Sequence, residues 1–201
     1  VIAVISPHLD DAAFSLTEHI LTWVAEGEQV KIVTVFGGIP ADEKGLLKHT
    51  RMHAEHIRAC EALGVQRIHA NFFDDVYKPR PSRLDVWPVI AAMIGNASII
   101  VVPTGIHHPD HHLVERACYH NLGFKGYWHY DELPYYVQHP HQCSVSESDW
   151  DHHDPTDHFE RVKHAEGLME EKWRIVNMYE SQIGELERRT LLAPERCWRP
   201  L

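Results

Sequence analysis

Val1-Ile2-Ala3-Val4-Ile5-Ser6-Pro7-His8-Leu9-Asp10-Asp11 is the stretch from which the rest of the chain can be read. Five apolar residues run into a turn signal, and the residues from about Ala12 to Glu26 have helical character. A short apolar run bounded by a turn is the sequence mark of a buried strand. One His and two adjacent carboxylates then sit at the carboxyl end of a strand, where open α/β sheets place their ligands. Two neighbouring Asp residues beside a His are costly unless a positive charge neutralises them, and a divalent metal ion is the usual neutraliser. A plainer reading has Asp10 or Asp11 capping the helix and His8 solvated in a loop. On this stretch alone the two readings stand level. A second cluster, His107-His108-Pro109-Asp110-His111-His112, tips the balance toward metal.

Outward from the first cluster, Val30 to Phe36 is β-branched and apolar enough for a second buried strand. Gly37-Gly38-Ile39-Pro40 ends it, Ala41 to Lys48 reads as a loop, and Thr50 to Leu63 as a helix closed by Gly64 as a left-handed cap. Arg67 to Phe73 suits a third strand, Lys78 to Ser82 a breaker, and Leu84 to Ile94 a helix. Ala97 to Pro103 is the clearest strand, and Asp110 to Leu122 a helix after it. Strand and helix alternate, the pattern of a Rossmann-like, mostly parallel sheet with helices on both faces. Both His/Asp clusters fall at strand ends leading into helices, so residues about a hundred positions apart can share one site.

The last third reads differently. Tyr127 to Val137 suits an edge strand or an extended loop, and the polar stretch 138–157 a long loop bordering the site. Phe159, Val162, Glu166, Met169, Trp173, Val176 and Ile183 recur at helical spacing, as a core-facing helix requires. Residues 190–201, with Pro194 and Pro200, read as a surface tail. There is no internal repeat and no GxGxxG, so a dinucleotide reading has no fingerprint behind it.

The 201 residues fit a single domain, 1–201. A formal charge of −10 argues against a nucleic-acid partner, which needs a basic face. The chain holds 18 His, so a lone His carries little information. His139, His141, His152, His153 and His158 are taken as surface residues, as are His107 and His112. Cys60, Cys118, Cys143 and Cys197 form no CxxC pair, which fits a reducing cytoplasm. Cys60 and Cys118 read as small core hydrophobes. Tyr135 and Tyr136 fit either sheet packing or a substrate cleft. No run is long and apolar enough for a membrane span, and no charged-then-apolar leader opens the chain. Because Val1 already lies within the apolar run, a few native residues are expected ahead of it.

A catalytic zinc site takes three ligands from His and Asp or Glu, and leaves one position for water. His8 and Asp11 are spaced to chelate one ion around a turn, and one His of the second cluster completes a His₂Asp set. Asp10, not needed as a ligand, is free to take a proton from the attacking water. The metal acidifies water and polarises a carbonyl, which is what amide hydrolysis needs. A further His then serves as proton donor or oxyanion stabiliser, with Asp110 holding its tautomer.

Pro7-His8-Leu9-Asp10-Asp11 with His108-Pro109-Asp110-His111 resembles the PIG-L/LmbE-like zinc N-deacetylases, which remove an acyl group from an N-acylated glucosamine unit. The resemblance runs along most of the chain. Arg51 and Glu55 before Leu63-Gly64-Val65 look like the family's Arg/Glu helix, with Arg51 one residue further from Glu55 than the pattern has it. Asp74 to Lys78 looks like Asp-x-x-Tyr-Arg, with Lys78 in the Arg place. Tyr130-Asp131-Glu132-Leu133-Pro134-Tyr135 looks like Tyr-Glu-Asp-Leu-Pro-Tyr with the acids exchanged. Lys172 followed by Tyr179-Glu180-Ser181-Gln182 resembles its C-terminal helix. The resemblance implies that His8, Asp11 and His111 bind the metal, and that Asp10 is the general base. It implies that His108 protonates the amine or steadies the oxyanion, oriented by Asp110, and that Arg51 and Asp74 contact the sugar. Some relatives carry a Tyr where this chain has Ile106.

The expectation is a Zn²⁺-dependent N-deacetylase acting on a small N-acyl amino sugar, with Fe²⁺ suited to the same ligands. Its spelling is closest to bacterial members acting on sugar-bearing natural products. Thiol-precursor sugars and lipid-linked N-acetylglucosamine are the alternatives. Rival classes are a non-haem iron oxygenase, disfavoured by the strand–helix alternation, and a metal- and sugar-binding module without turnover, disfavoured by the presence of Asp10. Oligomeric state stays open, a homo-oligomer included.

Overall fold

Every residue of the first strand, β1 (Ile2–Ser6), is buried. The strand lies in the interior of its sheet and is covered on both faces, which is why its sequence is continuously apolar rather than alternating. The computed structural model describes residues 1–77, 79–123, 126–140, 159–183 and 188–201. Following β1 come α1 (Asp11–Ala25), β2 (Val30–Thr34), α2 (Glu43–Leu63), β3 (Gln66–His69), α3 (Arg83–Ile94), β4 (Ile99–Pro103) and α4 (Pro109–Leu122). The chain continues with β5 (Trp128–Tyr130), α5 (Tyr135–Gln138), β6 (Phe159–Arg161), α6 (Met169–Val176), α7 (Glu180–Ile183), α8 (Arg188–Leu191) and β7 (Cys197–Pro200).

The strand order is β3-β2-β1-β4-β5-β7-β6. The first five strands are parallel; β7 and β6 add an antiparallel edge. β1 pairs with β2 on one side (Ile2 opposite Val30) and with β4 on the other (Ile2 opposite Ile99). The connections after β1 (to β2) and after β4 (to β5) run in opposite directions, so a crevice opens beyond the carboxyl ends of β1 and β4. Side-chain alternation along β1 feeds two cores. Ile2 and Val4 pack with Phe14, Leu16 and Ile20 of α1 and with Ile175 and Val176 of α6. Ala3 and Ile5 face Val86 and Ile90 of α3 and Val114 and Cys118 of α4.

Several elements depart from the sequence reading. The segment Ala41 to Lys48 is not all loop: α2 starts at Glu43, because the Asp42 carboxylate accepts the Gly45 N–H at 2.9 Å and caps the helix. Its other end is as expected, with Gly64 at φ 72°. The strand within Tyr127 to Val137 is interior, between β4 and β7, rather than an edge. The apolar stripe from Phe159 to Ile183 is not one helix. Phe159 belongs to β6, and helix begins only at Met169, after Gly167 has turned the chain at φ 82°. Residues 190–201 are not a surface tail, for β7 is inserted between β5 and β6 with Cys197 fully buried. Prolines bracket that strand without interrupting its pairing, which is where strands tolerate them. Of the polar loop 138–157, residues 141–157 lie outside the described residues, as do His158 and Lys78.

The C-terminal segment is tied to α1 by buried charge. Lys172 Nζ lies 3.0 Å from Glu195 Oε1, both side chains being fully buried. Glu195 also accepts the backbone N–H groups of Glu18 and His19 at 3.0 and 3.1 Å and meets His19 Nδ1 at 2.9 Å. Burial would raise the Glu195 carboxyl, but Lys172 and His19 hold it below its usual value. Removing one partner of a buried pair strands the other charge. Lys172→Ala is expected to cost about 3–5 kcal/mol, read as a lowered midpoint in urea unfolding.

Candidate active site

The turn after β1 is built by its own polar groups. Ser6 Oγ donates to the His8 carbonyl at 2.6 Å and accepts the Ala12 N–H at 3.1 Å, while the His8 N–H donates to Asp11 Oδ2 at 2.8 Å. Asp10 occupies the N-cap of α1 without any side-chain capping bond. Neither Asp is therefore spent as a cap, and the plainer reading of this stretch fails. On the other side of the crevice His107 turns at φ 62°, Pro109 takes the first position of α4, and His108 is its N-cap. These backbone features aim His108 and His111 at the same space as His8, with ring centroids of His8 and His111 5.2 Å apart.

Three ligand atoms form a tight triangle. His8 Nδ1 lies 3.3 Å from Asp11 Oδ2, His111 Nε2 lies 3.1 Å from that oxygen, and the two nitrogens are 3.3 Å apart. Ligands about 2.1 Å from a tetrahedral zinc stand about 3.4 Å from one another, so the triangle fits the ion that the donor set implies. His8, His108 and His111 also bring ring nitrogens within 4.8 Å of one another, and His8, Asp74, His108 and Asp110 do so with ring nitrogens and carboxylate oxygens. Those groupings are looser, and the short edges favour His8, Asp11 and His111.

Behind the triangle, one buried carboxylate stands behind each imidazole. Glu132 Oε1 accepts from His111 Nδ1 at 3.1 Å, and its oxygens also take the N–H groups of Thr104, Gly105 and Ile106 and the Thr104 hydroxyl. Asp110 Oδ2 accepts from His8 Nε2 at 3.2 Å and from the Asp75 N–H at 2.9 Å, and Oδ1 accepts from Arg80 at 2.8 Å. The Asp110 carboxylate thus holds His8, not His108 as the sequence reading had it. His108 is oriented instead by the Asp110 backbone N–H, which donates to its Nδ1 at 3.2 Å. Neutral His108 then carries its proton on Nε2. Burial, followed by the charges of His8 and His111, lowers its affinity for a second proton.

Burial and then the Asp11 charge push the Asp10 carboxyl up to about 7. Burial would also raise Asp11, but His111 and His8 hold it well below the usual carboxylate range. For His8, burial is outweighed by its bonds to Asp11 and Asp110, so its affinity for a proton is well above the usual. For His111, burial is outweighed by Asp11 and Glu132, and it rises to about 9.

Among the other residues singled out, Asp74 comes close, with Oδ1 3.9 Å from His8 Nε2. Arg51 does not join the cluster: it is exposed, 3.0 Å from Glu55 and 3.4 Å from Glu180. Tyr135 borders the site, 5.0 Å from the His111 ring, whereas Tyr136 is buried with its hydroxyl on the Pro194 carbonyl. His107 and His112 are exposed, His107 stacking on His139 at 3.8 Å, and Cys60 and Cys118 are buried as expected. Glu132 and Arg80 were not singled out by sequence. The adjacent acids after Tyr130 were the signal for Glu132; Arg80, in a proline-rich breaker, had none.

The family model described as PIG-L, GlcNAc-PI de-N-acetylase, matches residues 3–122. No curated protein matches the chain in sequence. Among solved structures, a deacetylase triple mutant of the teicoplanin biosynthetic pathway is 23% identical over 99% of this chain and 96% of its own, with a TM-score of 0.75. The A40926 pseudoaglycone deacetylase is 20% identical over 99% and 96%, TM-score 0.72. An N,N'-diacetylchitobiose deacetylase from Pyrococcus horikoshii is 16% identical over 100% and 83%, TM-score 0.67. At these identities the likeness is one of fold.

Metal ligation requires both imidazoles free of the protons their carboxylates retain. Because Asp11 and Glu132 raise His111 to about 9, zinc binding at pH 7 is expected to release a proton from that ring. Affinity should climb with pH and level off only above the His111 value of about 9. Calorimetry in buffers of different ionisation heat reads the proton count directly.

Proposed function

The chain belongs to the PIG-L family of zinc-dependent N-deacetylases, and from that membership we propose that its site hydrolyses the N-acyl amide of a glucosamine-containing substrate. The observation that carries this reading is the His8–Asp11–His111 triangle with an uncapped Asp10 beside Asp11. His8, Asp11 and His111 would hold the ion. When bound, zinc supplies a polarised amide carbonyl and a water acidified toward neutrality.

Asp10 takes the proton of the attacking water as the new C–O bond forms. His108, with its proton on Nε2, donates a hydrogen bond to the oxyanion, and Asp10 hands the water's proton to the amine as the C–N bond breaks, leaving a carboxylic acid, which ionises to the carboxylate, and a free amino sugar. Burial and the neighbouring Asp11 raise the proton affinity of Asp10, which suits a general base. Glu132 and Asp110 fix the two imidazole rings. On this reading Asp74 accepts a hydrogen bond from a sugar hydroxyl, which its part-buried position beside His8 supports. Arg51, engaged with Glu55 and Glu180, is left out of the sugar contacts.

The fold neighbours, a deacetylase of the teicoplanin biosynthetic pathway, an A40926 pseudoaglycone deacetylase and an N,N'-diacetylchitobiose deacetylase, support a sugar-bearing natural product as the acceptor. We read residues 1–201 as one such domain. No helix of the described residues is long and apolar enough to cross a membrane. Free thiols at Cys60, Cys118 and Cys197 suit a reducing compartment.

Carboxylate release from a panel of N-acetylglucosaminides, before and after chelation, tests the reaction. Release lost on chelation and restored by zinc is the expected result; none from any acceptor, with metal bound, would refute it. Asp10→Asn should keep its zinc while turnover falls by about two to four orders of magnitude. Unchanged turnover would remove Asp10 from the mechanism.

A further inference from the structure

Arg80 lies in Pro79-Arg80-Pro81, in the connection between β3 and α3. That connection reaches Asp110 twice. The Asp75 N–H donates to Oδ2 at 2.9 Å and Arg80 Nη2 donates to Oδ1 at 2.8 Å. The Asp110 side chain is fully buried, and Arg80 supplies the sole partner of Oδ1 among the described residues. Its other oxygen is already committed to His8 Nε2 and Asp75. A buried acceptor without a partner is costly, and rotation of the carboxylate is the available relief. That rotation would carry Oδ2 away from His8 and release the ring whose Nδ1 forms one corner of the triangle.

We propose that Arg80 is a positioning residue of the metal site, acting through the Asp110 carboxylate to hold His8 Nε2 and thereby aim His8 Nδ1 at the ion. This rests on the reading of His8 as a ligand. The resemblance placed Lys78 where the family has Arg; the cation that meets Asp110 stands two residues further on. Arg80 Nε is buried and has no partner among the described residues, so among them Asp110 is what holds the guanidinium. The prolines on either side limit the backbone's freedom to withdraw it.

The test is zinc affinity, measured by competition with a chelating dye, for the wild type, R80Q and R80K. R80Q should bind zinc about 10–100-fold more weakly, and R80K, which keeps one cationic donor, should fall between. At saturating zinc, R80Q should recover kcat on a soluble N-acetylglucosaminide with KM unchanged. Wild-type zinc affinity in R80Q would overturn the inference, and so would a raised KM that saturating zinc does not relieve, since that marks a substrate contact. Should R80Q fail to fold, R80K decides: zinc affinity equal to the wild type would overturn the inference. Failure of the wild type itself to hold zinc would refute the metal reading, and this inference with it. Loss of activity in zinc-loaded wild type alone would instead strike the proposed hydrolysis.

Discussion

One oxygen, Asp11 Oδ2, meets the His8 N–H, His8 Nδ1 and His111 Nε2 within 3.3 Å. The rest of the crevice is arranged to make that crowding tolerable. A carboxylate taken from water to this depth is stable only if opposite charge meets it at close range. The parallel sheet brings that charge from far along the chain. β1 and β4 run side by side in the same direction, so the turn after one and the helix start after the other open on the same edge.

The imidazoles are constrained in turn. Each has one nitrogen in the triangle and the other on a buried carboxylate, Asp110 for His8 and Glu132 for His111. Such partners fix ring orientation and tautomer and raise ligand basicity. Glu132 is held by three consecutive backbone N–H groups from the end of β4, so the loop that leads to His111 also orients the carboxylate behind it. Asp110 is one residue before His111 on α4 but serves the ring across the crevice. The two halves of the site are therefore interlocked, each helix start carrying a group that steadies the other.

The alternations at β1, β2 and β4 were legible because burial on both faces writes itself as apolar runs such as Ile2 to Ile5 and Ile99 to Val102, whereas β3, Gln66 to His69, is an exposed edge strand. The His/Asp clusters were legible because they sit where those runs stop. What escaped is everything decided by distant partners. Cys197 to Pro200 reads as a tail between prolines, yet β5 and β6 offer it hydrogen-bonding edges that local composition does not reveal. The spacing of Phe159 to Ile183 fits a helix, but sheet pairing at Phe159 and the left-handed turn at Gly167 override it. The family resemblance implies Asp110 as the partner of His108. On the first turn of a helix a residue two positions on presents its backbone N–H to the cap and its side chain elsewhere, and elsewhere was His8.

The Lys172–Glu195 pair has a meaning for how the molecule is made. Every atom of the His–Asp–His triangle has been synthesised by residue 111, whereas the carboxylate that braces the middle of α1 through Glu18 and His19 arrives more than 170 residues after them. Contacts of such separation close late, after the loop entropy between them has been overcome. A chain growing from its amino end thus carries Asp11 on a helix whose buried flank stays open until Glu195 has been made. The segment that carries Glu195 leads directly into β7, so insertion of that strand between β5 and β6 and the sealing of the flank come together.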